Sequence, residues 1–184
     1  TAMASTDATI NGLTVGTGAN GVATNTAVGV TALTANTTGT YNTAVGYQAL
    51  SSNTTPNGNH AFGFFALRLN TTGNYNTAVG YSALANSTTA GENVAVGAAA
   101  LNLNTTGSRN TALGNSTLQN NTTGRNGVAV GFGALQANTT PWGNVAVGTQ
   151  ALTTNTTGGA NIAVGYQALY ANTTASYSTA VGYQ

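Results

Sequence analysis

Charged side chains are nearly absent from this chain. Of its 184 residues, three are Lys or Arg and two are Asp or Glu, which gives a net charge of +1. Ordinary domains are about a quarter charged. Three arginines make no basic stripe, so nucleic-acid binding is not expected. Low charge suits a membrane span or a fibrous protein, but no apolar run approaches the ~20 residues of a spanning helix. We therefore expect no membrane insertion.

Side chains that carry catalysis are equally scarce. There is no cysteine, which excludes disulfides and thiolate chemistry. His60 is the single histidine, and Asp7 and Glu92 are the two carboxylates, too far apart in sequence to complete a metal shell. Acid–base catalysis needs a pair of titratable groups, and nucleophilic catalysis needs a nucleophile beside a base. The sequence offers no such pair. We predict that the protein is not an enzyme and has no catalytic, cofactor-binding or metal-binding residues, with His60 a packed or surface variant.

What the chain has instead is a strict repeat. The stretch Asn42-Thr-Ala-Val-Gly-Tyr-Gln-Ala-Leu50, followed by Asn53-Thr-Thr55, recurs every 17 residues with no insertion or deletion. We number the repeat from Asn42 as position 1, so that position 5 is always glycine and position 9 always leucine. The period is marked by Gly29, Gly46, Gly63, Gly80, Gly97, Gly114, Gly131, Gly148, Gly165 and Gly182. A period this regular indicates a stacked repeat architecture.

The repeat divides the chain into two parts. Residues 1–24 are irregular, and we predict a divergent N-terminal coil or junction there, with a short strand and turns around Ile10, Leu13 and Val15. Residues 25–184 hold ten repeats, the last one incomplete. Because the chain starts without Met and stops within a repeat at Gln184, we interpret it as a piece of a longer polypeptide.

The repeat itself predicts strands rather than helices. A glycine interrupts each apolar run, and position 15 holds Gly, Pro or Ala, which is turn chemistry. The remaining segments are about five residues long and rich in Val and Thr. We predict two short strands and two bends per repeat, stacked at ~4.8 Å. The predicted fold is all-β, a repetitive parallel β-solenoid or β-roll of 17-residue repeats in a homotrimeric fibre.

The two faces of the strand differ in size. Alternation places Val45 and Tyr47 on one face and Ala44 and Gly46 on the other. We expect the large face to be buried, with Val45 and Leu50 as core and the tyrosine column partly or wholly buried. We expect the small face to receive another backbone. A single coil with so little apolar mass is marginal against its conformational entropy, so we predict a homo-oligomer, with three chains around one axis as the best arrangement.

The Asn-Thr-Thr segment has three interpretations. In the first, its side chains hydrogen-bond the backbone of the turn and stack in register from repeat to repeat. In the second, its asparagines are glycosylation acceptors. In the third, its threonines form a flat array that orders water, as in ice binding. A Gly or Pro next to it argues against flatness. The column of Tyr and Phe at position 6 is interpreted as packing, with sugar stacking as the alternative. Trp142 and Arg125, both at position 16, are predicted to face solvent in a turn.

The units Asn42 to Leu50 and Asn76 to Leu84 resemble repeats of bacteriophage tail fibres, and they are similar to the head repeats of trimeric autotransporter adhesins. The resemblance covers residues 25–184, although the adhesin repeat is shorter and lacks Asn-Thr-Thr. It implies a homotrimeric β-roll or fibre shaft, extracellular or on a virion, that serves host attachment.

From the repeat and the resemblance together we predict a non-catalytic fibre shaft or adhesin segment. Its partners would be further copies of itself and a cell-surface glycan or receptor. The alternative is an ice- or glycan-binding β-solenoid that uses its Thr or Tyr ladders.

Overall fold

A computed structural model describes residues 7–11 and 13–184. Within this part of the chain, twelve short strands form one sheet in sequence order. The strands are β1 (Ala8–Ile10), β2 (Leu13–Gly16), β3 (Thr26–Gly29), β4 (Thr43–Val45), β5 (His60–Phe62), β6 (Thr77–Val79), β7 (Val94–Val96), β8 (Thr111–Leu113), β9 (Val128–Val130), β10 (Val145–Val147), β11 (Ile162–Val164) and β12 (Thr179–Val181). β1, β2 and β3 pair antiparallel.

From β3 to β12 every pairing is parallel and offset by one repeat. Ala44 lies opposite Ala61, and Ala61 lies opposite Ala78. Each repeat is therefore one turn of a parallel β-solenoid, which we call a rung. The predicted all-β solenoid is confirmed. The prediction of two strands per repeat is wrong, because each rung has one short strand and passes through turns for the rest of its length.

Backbone hydrogen bonds between rungs continue beyond the strands. The Thr43 N–H donates to the Asn59 carbonyl of the following rung at 2.9 Å, and the Leu50 N–H donates to the Ala66 carbonyl at 3.1 Å. The Gly46 N–H donates in the other direction, to Val28 of the preceding rung, at 2.8 Å. The turns are thus paired rung to rung as regularly as the strands.

Left-handed backbone conformations explain why the turns replace a second strand. The leucines at position 9 have φ between 48° and 53°, although a left-handed L-residue costs about 1–2 kcal/mol. The glycines at position 5 have φ between 118° and 147°, a region that only glycine enters freely. A Cβ at Gly46 would collide with the carbonyl of Gly63 in the next rung. The backbone that approaches the small face is therefore the same chain.

The core is narrow and consists of alanine, leucine and asparagine. Ala44, Ala49 and Leu50 are fully buried, and their equivalents along the solenoid form one continuous cluster. Val45 lies on the opposite side of the strand and is only half-buried. The prediction of Leu50 as core is thus confirmed and that of Val45 is wrong, because the alanine face points into the coil and the valine face points outward.

Two columns of buried asparagine complete the interior, at positions 1 and 12. The Asn42 side chain donates through Nδ2 to the Pro56 carbonyl at 2.8 Å, across the coil, and its Oδ1 accepts the Asn59 N–H at 3.0 Å. At position 12, the Asn70 Nδ2 donates to Gly73 O at 2.8 Å and to Asn53 Oδ1 at 3.0 Å. These amides satisfy turn carbonyls that water cannot reach.

The N-terminal segment covers the first rung with an antiparallel hairpin, β1 and β2. The Asp7 carboxylate accepts hydrogen bonds from the backbone N–H groups of Thr17 at 2.7 Å and Gly18 at 2.8 Å. A short 3-10 helix, Ala19–Gly21, then leads into β3. The strand and turns predicted around Ile10, Leu13 and Val15 are present as this hairpin.

Candidate interaction surfaces

The outward side of the sheet is the largest candidate surface, and we call it the strand face. It is formed by the side chains at positions 2, 4 and 6 of the rungs. More than half of its valines are half-buried, like Val45, and the exposed large apolar members are Val30, Tyr47, Phe62, Phe64, Val79, Tyr81, Val94, Leu113, Phe132, Val147, Ile162, Tyr166, Val181 and Tyr183. The tyrosine column that we expected to be buried is exposed within one chain, to 61% at Tyr81.

The strand face carries no formal charge over ten rungs. His60, at position 2 of β5, is its one titratable side chain apart from the tyrosines, and it is exposed. His60 is thus a surface variant, as predicted. Exposed apolar side chains along this length without charged residues make the strand face a candidate interaction surface.

Aromatic rings on the strand face stack on one another along the solenoid axis. The Tyr47 and Phe64 centroids are 5.2 Å apart at 14°, and those of Phe64 and Tyr81 are 5.3 Å apart at 3°. Tyr166 and Tyr183 repeat the arrangement at 5.3 Å. Both faces of the Phe64 ring are covered by its neighbours, so the middle of this stack presents ring edges to the outside rather than the faces on which a sugar would stack.

The asparagines of the Asn-Thr-Thr segments are interior residues in every rung except the last. Asn36, Asn53 and Asn121 are fully buried, and the Nδ2 of each donates to a carbonyl of its own turn. These contacts support the structural interpretation of the segment. A glycan cannot reach these amides in the folded chain. Asn86 and Asn172 are partly exposed.

The two threonines of each segment differ in what their hydroxyls do. At position 13 the hydroxyl donates to the equivalent carbonyl of the next rung, as from Thr71 to Thr88 at 3.0 Å. At position 14 the side chains are exposed in every rung, and their hydroxyls have no hydrogen-bond partner in the described residues. We call this second set the Thr column: Thr38, Thr55, Thr72, Thr89, Thr106, Thr123, Thr140, Thr157 and Thr174.

A small charged patch lies on the bend at positions 16 and 17. Arg109 Nε donates to Glu92 Oε2 of the preceding rung at 2.8 Å, and both side chains are exposed. This hydrogen bond raises the pKa of Arg109 further above its usual value. Arg125 and Trp142 lie in the next two rungs, and the indole is 56% exposed. Both residues face solvent, as predicted.

The described residues contain no group of three or more His, Cys, Asp or Glu side chains close enough to hold a metal ion. In the same part of the chain, no helix has the length and apolar character to cross a membrane. The fold defines the protein as a parallel β-solenoid with an apolar outer face. Comparisons with family models, with curated proteins and with solved structures gave no match.

Proposed function

We propose that the protein is a non-catalytic structural shaft whose copies associate through the strand face into a homotrimeric fibre. The observation that carries the proposal is the strand face itself, which is uncharged and exposes at least one large apolar side chain in each of the ten rungs, among threonines at position 2. The sequence resemblance to tail fibres and adhesins supports an extracellular or virion location, with attachment to a cell-surface glycan or receptor as the purpose of the fibre.

The length of the strand face supports an interface between copies. Ten rungs at ~4.8 Å make a surface ~48 Å long, formed by strands that cover positions 2 to 4 and by the side chains that follow the bend at the glycine. An apolar surface of this size loses unfavourable contact with water when it is covered.

The absence of charged side chains from the strand face supports a symmetric arrangement of the copies in particular. In a parallel, in-register trimer, each rung meets the same rung of the other copies around the axis. Any charge on the strand face would then be brought close to its own equivalents, which is unfavourable in a desolvated interface. The charged patch containing Glu92 and Arg109 lies on the bend instead, where it does not have this effect.

The proposal is tested by the mass of the protein in solution. Sedimentation equilibrium of the wild-type chain should give three times the chain mass. Lysine at three exposed strand-face positions, in the combined variant Val79→Lys, Leu113→Lys and Val147→Lys, should give a folded monomer by the same measurement and by circular dichroism. A stable wild-type monomer contradicts the proposal.

The matched control places the same three charges on the bend, in the variant Tyr41→Lys, Asn126→Lys and Tyr177→Lys. Position 17 already accommodates Arg109, and these three side chains are exposed. This variant should keep the trimer mass. Dissociation of the control as readily as of the strand-face variant would show that added charge, rather than loss of the strand face, separates the copies.

A further inference from the structure

The Thr column is one of two invariant threonine positions on the surface of the solenoid, the other being position 13. Position 14 is threonine in all nine complete repeats. Two residues further on, position 16 varies freely between small, polar, charged and aromatic side chains: Thr40, Asn57, Asn74, Gly91, Ser108, Arg125, Trp142, Gly159 and Ser176. The copies have therefore diverged at a neighbouring position that is mostly half-buried or exposed, and position 14 has not done so.

Interactions within the fold do not account for this uniformity. The neighbouring threonine at position 13 is equally invariant, but its hydroxyl bonds the next rung, as from Thr105 to Thr122 at 3.1 Å. The hydroxyls of the Thr column make no such bond. A need for a β-branched side chain alone would admit valine or isoleucine, as position 2 does at Val94 and Ile162. The feature that is invariant at position 14 is therefore a side chain that presents a hydroxyl beside a methyl group to solvent.

The backbone holds the Thr column rigidly. In six rungs the N–H groups of positions 13 and 14 both donate to one carbonyl in the next rung, as from Thr71 at 2.9 Å and Thr72 at 3.2 Å to the Thr88 oxygen. The same pair of bonds joins Thr105 and Thr106 to Thr122, at 3.0 and 3.1 Å. In the two rungs with proline at position 15, the N–H groups of Thr55 and Thr140 do not make this bond. Where both bonds are made, the threonines are fixed at the rung spacing of ~4.8 Å, and little side-chain or backbone entropy remains to be lost on binding.

We propose that the Thr column binds ice. A constraint repeated in every rung points to a ligand that is itself periodic over the whole length, whereas an oligosaccharide would contact a few rungs. Ice has a lattice repeat close to the rung spacing, and its surface water is matched by alternating hydroxyl and methyl groups at that interval. In the first three rungs no charged side chain stands at position 16 or 17 beside the column, whereas Glu92 and Arg109 occupy position 17 of the fourth and fifth rungs.

This activity is independent of the strand face, because the Thr column occupies a separate stretch of each rung. The test uses the full chain. The wild-type protein should enter a slowly growing ice phase in an ice-affinity partition and should show thermal hysteresis by nanolitre osmometry. The variant Thr55→Lys, Thr72→Lys and Thr89→Lys should remain in the liquid and lose the hysteresis.

The control variant on the bend, Tyr41→Lys, Asn126→Lys and Tyr177→Lys, carries the same added charge and should keep both activities. Sedimentation equilibrium on all three proteins separates this proposal from the fibre shaft, since the Thr-column variant should retain the wild-type mass. Exclusion of the wild-type protein from ice overturns the proposal, as does undiminished ice binding by the Thr-column variant. Thr-dependent retention on insoluble chitin or cellulose, without binding to ice, also overturns it and assigns the column to a crystalline polysaccharide.

Discussion

The column of buried asparagines at position 12 is interrupted once within the solenoid, at Ser87, and we predict that Ser87→Asn stabilises the protein. Ser87 is fully buried, and its hydroxyl has no hydrogen-bond partner. In seven of the eight other rungs the asparagine at this position donates to the carbonyl at position 15, and in six it donates to the asparagine of the preceding rung. The corresponding acceptors for residue 87 are the Ala90 carbonyl and, in the preceding rung, Asn70 Oδ1. Each accepts one bond, from Asn76 Nδ2 at 2.9 Å and from the Gly73 N–H at 3.0 Å, and lacks the second bond that an asparagine would give.

The magnitude follows from these contacts. A buried hydrogen bond contributes about 1 kcal/mol net, and an unsatisfied buried group costs about 1–3 kcal/mol. Two new bonds and one removed unsatisfied hydroxyl, less the entropy of fixing the amide, give a stabilisation of about 1–3 kcal/mol. The larger side chain should fit beside a residue with a Cβ at position 15, because Asn53 is fully buried beside Pro56 and donates to its carbonyl at 3.3 Å.

Urea denaturation followed by circular dichroism measures the effect as an upward shift of the midpoint. Asn121→Ser is the reverse change and should lower the midpoint by a similar amount. Thr117→Ala is the comparison for loss of a buried hydroxyl that is already satisfied, since Thr117 donates to the Gly114 carbonyl at 2.8 Å; it should lower stability by the ~1 kcal/mol of one buried hydrogen bond. An unchanged midpoint for Ser87→Asn together with a lowered one for Asn121→Ser would refute this reasoning.

Two further predictions concern the backbone and the N-terminal hairpin. Gly97→Ala should destabilise by at least about 3 kcal/mol, because the residue has φ of 136° and its Cβ would collide with the Gly114 carbonyl. Gly133→Ala, with φ of 64° and no atom nearer than 3.7 Å to the added Cβ, should cost less than about 2 kcal/mol in the same urea titration. Asp7→Ala removes the acceptor for the Thr17 N–H and should increase hydrogen exchange at that amide, while equal exchange in both proteins would contradict the capping role.

The period of the sequence predicted the solenoid, because glycine, alanine and leucine recur at fixed positions. Only stacking in register gives these residues the same environment in all ten copies. Leu50 was predictable as core for the same reason. The structural role of Asn53 was predictable from its place in a turn. The hairpin at the N-terminus could be anticipated only as a strand with turns, since the chain there does not repeat.

The orientation of the strand could not be derived from residue size. Hydrophobicity alone favours burial of Val45 and Tyr47 over burial of Ala44. The outcome is reversed because the coil is too thin to hold large side chains on its inner side, and left-handed turns at the leucines close it tightly. Leucine has no preference for that conformation, so neither the turns nor the outward-facing valines had a recognisable signal in the sequence.

The unbroken register of the rungs has an evolutionary consequence. Each rung contacts its two neighbours through the same atoms, and stability in such arrays is close to a sum over adjacent pairs. Unequal recombination between the repeats therefore adds or removes whole rungs, each changing the length by ~4.8 Å, without altering the strand face, the asparagine columns or the Thr column. The length of the solenoid is thus a quantity that selection can adjust in single steps, separately from the chemistry of its surfaces.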